Sequence, residues 1–380
     1  MAVFPTLPSI ADRIAERRIT QRGMLPGASR RRFQPGSERE IVAFVAPQGE
    51  AGGDFTNIQE AVNFANNLGG GTIFIKSGTY KISSHITLYS NIEIIGQDND
   101  STILDFQGGA YRISAPGISA SHLKNIHISN IQLKDSTYEY GQIDWVYLDN
   151  FSIKNCKFIN TQTTSGTDIY LGQATLGEVS KNYSVDSRTF IVTNFATDLM
   201  IEKNNISDFN STSFDSGIRI DSNTSVQIIG NIVTSTHAGH GIWLIDTVGV
   251  RVISNNVQVS GDNTDTAIYV KGADKNMISD NYFLAAGQDA VSIGDDADNN
   301  TVVSNILSSK TGAAGGAGIA IGDSDENIII GNQVIQGKYG VSIDGDSDRT
   351  VVVGNNLYVA SDTALDDNGT NTDAGHNIVA

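Results

Sequence analysis

Along most of the chain, β-branched or aliphatic runs of four or five residues alternate with corners rich in Gly, Asn, Asp and Ser. An asparagine closes a run at a near-constant interval: Asn130, Asn155, Asn182, Asn204, Asn231, Asn255, Asn281, Asn305, Asn332 and Asn355, spaced 22 to 27 residues apart. A second series runs out of phase with it. Gly217, Gly241, Ala267, Ala290, Gly318 and Gly340 each open a stretch in which apolar residues flank one variable position. Runs this short and this β-branched predict strands rather than helices. Two interleaved series at one period predict a solenoid, each turn built of three short strands whose inner face only the neighbouring turns can cover. Glycine, asparagine and aspartate supply the left-handed corners such a coil needs. An asparagine at one fixed corner stacks into a column whose amides bond along the stack. The expected fold is therefore all-β, a single-stranded right-handed parallel β-helix over residues 85–380.

Residues 41–84 read as the opening of that coil. Apolar positions recur at helical spacing through Phe55–Ala65, with Thr56 or Asn57 placed to cap. Gly69–Gly71 follow, then a strand at Thr72–Ile75, then Gly78 and Tyr80. A helix here would cover the open end of the coil, whose strand edges and core otherwise invite aggregation. The run DFTNIQEAVNFANNLGGGTIFIKSGTYKIS resembles the start of the pectate-lyase-like superfamily, with Lys76-Ser77 where that pattern commonly has proline. The resemblance implies the β-helix architecture. The superfamily holds polysaccharide lyases, glycoside hydrolases, epimerases and bacteriophage tailspikes, so it implies no single chemistry.

Charge separates the first 40 residues from the rest. Net charge is −17 over 380 residues. Residues 1–40 hold eight arginines against four acids, +4, which leaves −21 for the remainder. An acidic body argues against nucleic acid as a partner, because phosphate binding needs clustered cations. No apolar run reaches membrane-spanning length, and the start of the chain lacks the cationic-then-apolar pattern of a secretion signal. The single cysteine, Cys156, follows an asparagine of the series and reads as a core residue. Residues 1–40 also hold four of the six prolines, with Ser9 placed to cap a short helix at Ile10–Ile14. Too poor in apolar residues to fold alone, they read as an arm ordered on a partner.

In the strands of the second series, side chains alternate inward and outward. The outward positions are Tyr147, Tyr170, Arg219, Trp243, Tyr269, Ser292, Ala320 and Ser342. The first five would form a sugar-binding column, since exposed flat rings have no folding reason and stack on sugar rings. Aspartates sit at the strand ends beside them. Carboxylates two turns apart lie about 9–10 Å apart at the backbone, and side chains can close that to hydrolytic separations. An acid pair among Asp168, Asp215 and Asp246 is the candidate for glycoside hydrolysis. His240 or Lys271 is the candidate base for lyase chemistry, with Arg219 steadying a sugar carboxylate. The acidic corners at 294–296, 322–325 and 344–348 offer Ca²⁺ ligands by type, although they read first as solvated turns; no metal or cofactor is expected.

A basic arm ahead of an aromatic-faced β-helix resembles a phage tailspike. That resemblance implies an arm docked on a virion tail or hub protein, a homotrimer, a virion location, and a coil that binds host surface polysaccharide. The alternatives are a secreted polysaccharide lyase, hydrolase or epimerase, and a non-catalytic structural fibre.

Overall fold

The structure, a computed structural model, describes residues 41–160, 166–207, 209, 216–237, 239–260, 266–310, 316–358 and 363–379. The arm at 1–40 and candidate Asp215 lie outside them.

The described chain winds as a right-handed parallel solenoid. Its strands pair in parallel with those one turn away, in one 24-stranded and one 13-stranded sheet. The larger sheet is two walls joined at a bend. Strand Ile143–Lys154 crosses it, pairing through Ile143–Val146 with Ile113–Pro116 and through Leu148–Lys154 with Leu123–Ser129. Strand Thr167–Ser180 crosses it in the same way. Later turns break there into two short strands, such as His240–Ile245 and Arg251–Ile253. The 13-stranded sheet is the third wall. Alternation puts one side chain in two inside, and Ile242, Leu244, Val252 and Val257 of a single turn are fully buried in one continuous core.

The asparagine column forms at the corner between the second and third walls. From Asn182 to Asn332, the backbone N–H and Nδ2 of each asparagine donate to Oδ1 of the next at 2.8–3.0 Å. Asn377 extends the column beyond Asn355. Asn130 and Asn155 stand outside it. They occupy the preceding left-handed corner position at φ 58° and 50°, where Asn155 Nδ2 donates to Asn130 Oδ1. Ile131 and Cys156 take the buried places instead, and Cys156 N–H donates to Asn182 Oδ1. Burial pushes the Cys156 thiol up to about 12, so it stays protonated. A shorter second column, Asn276–Asn300–Asn327, runs at the corner between the first and second walls.

One helix, Ile58–Asn67, precedes the coil proper. Asn57 caps it by accepting the Glu60 N–H, and Ile58, Ala61, Val62 and Ala65 press into the core beside the first strands.

Candidate functional site

The register of the first wall fixes which outward side chains share a column. The pairing runs Ser114, Asp144, Tyr170, Val192, Arg219, Trp243, Tyr269, Ser292, Ala320, Ser342. Tyr147 is not in it. Val146 pairs with Gly172 and Leu148 with Ala174, so Tyr147 falls between them at the bend, with φ 54°. Its ring lies 5.6 Å from His122 instead. Asp144 takes its place, because Ile143 and Trp145 on either side are both fully buried. The signal was present in the alternation, since an aspartate between two large apolar residues must face out.

Trp243 is packed rather than open. Only 8% of it is exposed. The Arg219 guanidinium lies 4.8 Å over the ring, and the Tyr269 ring stacks on the far side at 6.1 Å and 25°. A ladder places successive side chains within stacking distance, so rings in neighbouring turns cover each other's faces. His240 completes the cluster at 5.3 Å from Trp243 and 5.1 Å from Tyr269. Burial holds its imidazole down to about 4, hence neutral at physiological pH. The N-terminal end of the face is a second aromatic group: Arg112 lies 3.9 Å over Tyr138, and Tyr138, Tyr140 and Tyr170 follow in edge contact. Tyr140 is 52% exposed.

Three cation–carboxylate pairs punctuate this face. Arg112 meets Asp144 at 3.2 Å, Arg219 meets Asp221 at 3.2 Å, and Lys271 meets Asp295 at 3.1 Å. Tyr269 Oη also donates to Asp295 at 2.8 Å, which lowers the Asp295 carboxyl. Burial raises the Asp144 carboxyl against the pull of Arg112 and His85. Among the described residues, four buried polar atoms lack a hydrogen-bond partner within two consecutive turns: Ser216 Oγ, Arg219 Nε, His240 Nδ1 and Trp243 Nε1. Native interiors hold few such groups, and each calls for an explanation.

The two candidate carboxylates among the described residues, Asp168 and Asp246, do not gather. Asp168 points into the coil and is fully buried, its oxygens taken by Ser184, Ser187 and Gln142 at 2.5–3.0 Å. Burial raises it to about 7 despite those donors. Asp168 stands two residues before the outward Tyr170 and so shares its alternation, yet at the start of the strand it is buried. It cannot face water with a partner. Asp246 is exposed at a left-handed corner, φ 48°, beside Gly272. At the acidic corners, the charge of Asp296 raises the exposed Asp323. Among the described residues, no three His, Cys, Asp or Glu side chains converge to hold a metal ion.

A larger concavity of about 660 Å³ lies elsewhere, on the second wall, lined by His127, Ser152, Lys154, Glu178, Gln227 and Arg251 among others. Sequence reading missed it because its concavity comes from the bend at Leu176 and Gly177, not from a motif. Its one lining benzene ring, Phe151, is 2% exposed.

Comparison with known proteins bears on the fold. The family described as "right handed beta helix region" matches residues 215–357. The chain is a right-handed parallel β-helix. No curated protein sequence matches it. Among solved structures, it is similar to the DFA-IIIase of Arthrobacter chlorophenolicus A6 in complex with GF2, at TM-score 0.64 and 11% identity, covering 82% of this chain and 94% of that one. It is also similar to PfbA, a surface adhesin of Streptococcus pneumoniae, at 0.63 and 13%, covering 80% and 87%. Tailspike protein 3 of bacteriophage CBA120 aligns at 0.47 and 14%, covering 98% and 68%. At these identities the likeness concerns the fold. Among the described residues, no helix is long and apolar enough to cross a membrane.

Proposed function

We propose that this protein binds a polysaccharide along the first wall, from Asp144 to Tyr269. One observation carries the reading: of the six outward places from Asp144 to Tyr269 all but Val192 are aromatic or charged, and the column then gives way to Ser292, Ala320 and Ser342 on the same backbone. Outward positions are free of folding demands, so their concentration here needs another cause. Five steps at about 4.8 Å span about 24 Å, the footprint of an elongated chain rather than one small molecule. Each cation–carboxylate pair presents a donor and an acceptor side by side, which suits vicinal hydroxyls, and the balanced charge favours a neutral or weakly charged glycan over a polyanion. Tyr170, Arg219 and Tyr269 are the contact residues; Trp243 and His240 hold them in place. The test is binding of purified wild type and Tyr170→Ala to a panel of neutral and acidic polysaccharides. Equal affinity of the two proteins for every glycan bound would refute the reading.

A hydrolytic role attaches to Asp144 rather than to Asp168. Asp144 is an outward carboxyl that burial raises against the pull of Arg112, and Tyr170 feels the charge of both Asp144 and Asp221. Asp144 is then the candidate acid, and Asp221, three turns further along the wall, is tested beside it. Depolymerisation that survives both Asp144→Asn and Asp221→Asn sinks this role.

The finer reading is a tailspike-like protein that docks on a virion tail or hub through residues 1–40 and meets host surface polysaccharide with the coil. Its support is the sequence: eight arginines and four prolines in an arm of 40 residues ahead of an acidic body. A secreted carbohydrate-active enzyme is the alternative. Binding of the isolated coil to glycan, combined with loss of virion incorporation when residues 1–40 are removed, separates the two.

A further inference from the structure

The asparagine corner has an outer side as well as an inner one, and in the later turns that side is aliphatic. Ile232, Tyr282 and Ile306 stand outward in one column of the third wall and are 36–44% exposed. Ile335 and Tyr358 lie further along the same wall, 43% and 42% exposed. Across the corner, on the second wall, Ile328 and Ile330 are 37% and 40% exposed. Half-buried Ile229, Ile253, Val303 and Val353 fill in between them. The two outward rows that border the corner, from Ile229 to Val353 and from Ile232 to Asn356, contain no charged residue.

This is unusual for the chain it sits on. Net charge is −17, and in the same turns the corner between the first and second walls carries Asp295, Asp296, Asp323, Asp325, Asp344 and Asp346. The late coil is polarised, acidic along one edge and aliphatic along another. The core does not need these side chains, because the intervening Ile329, Val334 and Val352 already fill it at 0% exposure.

We infer that this aliphatic edge is the contact surface between copies of the chain lying side by side and parallel. Area is the first argument. The seven exposed side chains present on the order of 500 Å² of apolar surface, the upper end of what a monomer leaves bare. With the half-buried residues between them, that is most of the ~800 Å² each partner gives a standard interface. Period is the second. Apolar side chains take eight of the twelve places of the two rows over six turns, at the strand spacing of about 4.8 Å, and a parallel copy of the same coil carries that spacing along its whole length. Charge is the third. For two bodies this acidic, an edge whose two outward rows are uncharged, with Asp280 alone at the corner between them, is the approach least opposed by repulsion. Copies related in this way form a closed ring about an axis along the coil. The first wall faces away from that axis and stays open to a glycan, so this inference stands or falls separately from sugar binding.

The experiment measures solution mass of the full chain by light scattering across a dilution series, for wild type and for the double variant Ile306→Asp/Ile330→Asp. Ser292→Asp/Ser342→Asp on the first wall serves as control. Wild type and control should run at one integer multiple of the 40.5 kDa chain, and the double variant at the single-chain mass with wild-type circular dichroism. A monomeric wild type, or a double variant that keeps the wild-type mass, overturns the inference. Should the double variant not fold, Ile306→Cys decides. The natural cysteine is buried, so oxidation should link copies through position 306, and a failure to cross-link counts against the interface.

Discussion

Strands Ser216–Asp221 and His240–Ile245 and strands Ala317–Ile321 and Tyr339–Ile343 belong to the same wall, pair in the same register and bury the same kind of residue. Ile218, Ile220, Ile242 and Leu244 point in from the first pair, and Ile319, Ile321, Val341 and Ile343 from the second. Outward, the first pair carries Arg219 and Trp243, and the second Ala320 and Ser342. Backbone and core are indifferent to that exchange. A parallel coil thus separates stability from recognition residue by residue: inward positions hold the turn in place, and the outward positions alternating with them are free for chemistry.

Substitution of Asn281 by alanine should break both regions alike and have the largest effect. It removes an acceptor from two donors of Asn255 and a donor from the Val252 carbonyl. Stability should drop by about 3–5 kcal/mol, given ~1–3 kcal/mol for each buried group left unpaired. Thermal unfolding measures it.

Asp168→Asn tests an inward residue under the binding face. The Asp168 carboxyl sits at about 7 in the folded protein against 3.8 for the free group. The folded state therefore holds a proton that the unfolded state releases, and wild-type stability falls as pH rises from about 4 to about 7. The loss should be on the order of 3–4 kcal/mol. Denaturant titrations at pH 4.5 and pH 8 should differ for wild type and much less for the asparagine variant.

Arg219→Ala and Tyr170→Ala should each weaken glycan binding about 10- to 100-fold, or ~1.4–2.8 kcal/mol, while moving the melting temperature little. With His240 neutral above about 4, affinity should stay flat between pH 5.5 and pH 8. Ser292→Ala and Ser342→Ala should change neither binding nor stability by more than ~0.5 kcal/mol. A loss of binding from these two would extend the binding face into the late turns and erase the contrast on which it rests.

The period of the chain was enough to read the coil, because a solenoid repeats one local environment and each repeat restates the same pattern. Asn182 to Asn355, the helix after Asn57 and the outward places of Arg219, Trp243 and Tyr269 could all be read this way. Reading failed where the backbone leaves the simple alternation. Tyr147 slipped out of its column at the bend, Asn130 and Asn155 stand one residue ahead of the column they appear to begin, and Asp168 lies under the wall it was assigned to.

Sequence by itself determined the fold, the short strands, the buried amide column and the contrast between a basic start and an acidic body, since each follows from local residue type and spacing. Tertiary structure alone decided that Trp243 is wedged between Arg219 and Tyr269, that Asp144 joins Tyr170 across a turn, and that isoleucines far apart in the chain line one edge. Those are contacts between turns, and the spacings of 22 to 27 residues are too irregular for counting along the chain to say which side chain stands above which. Only the hydrogen-bonded register does.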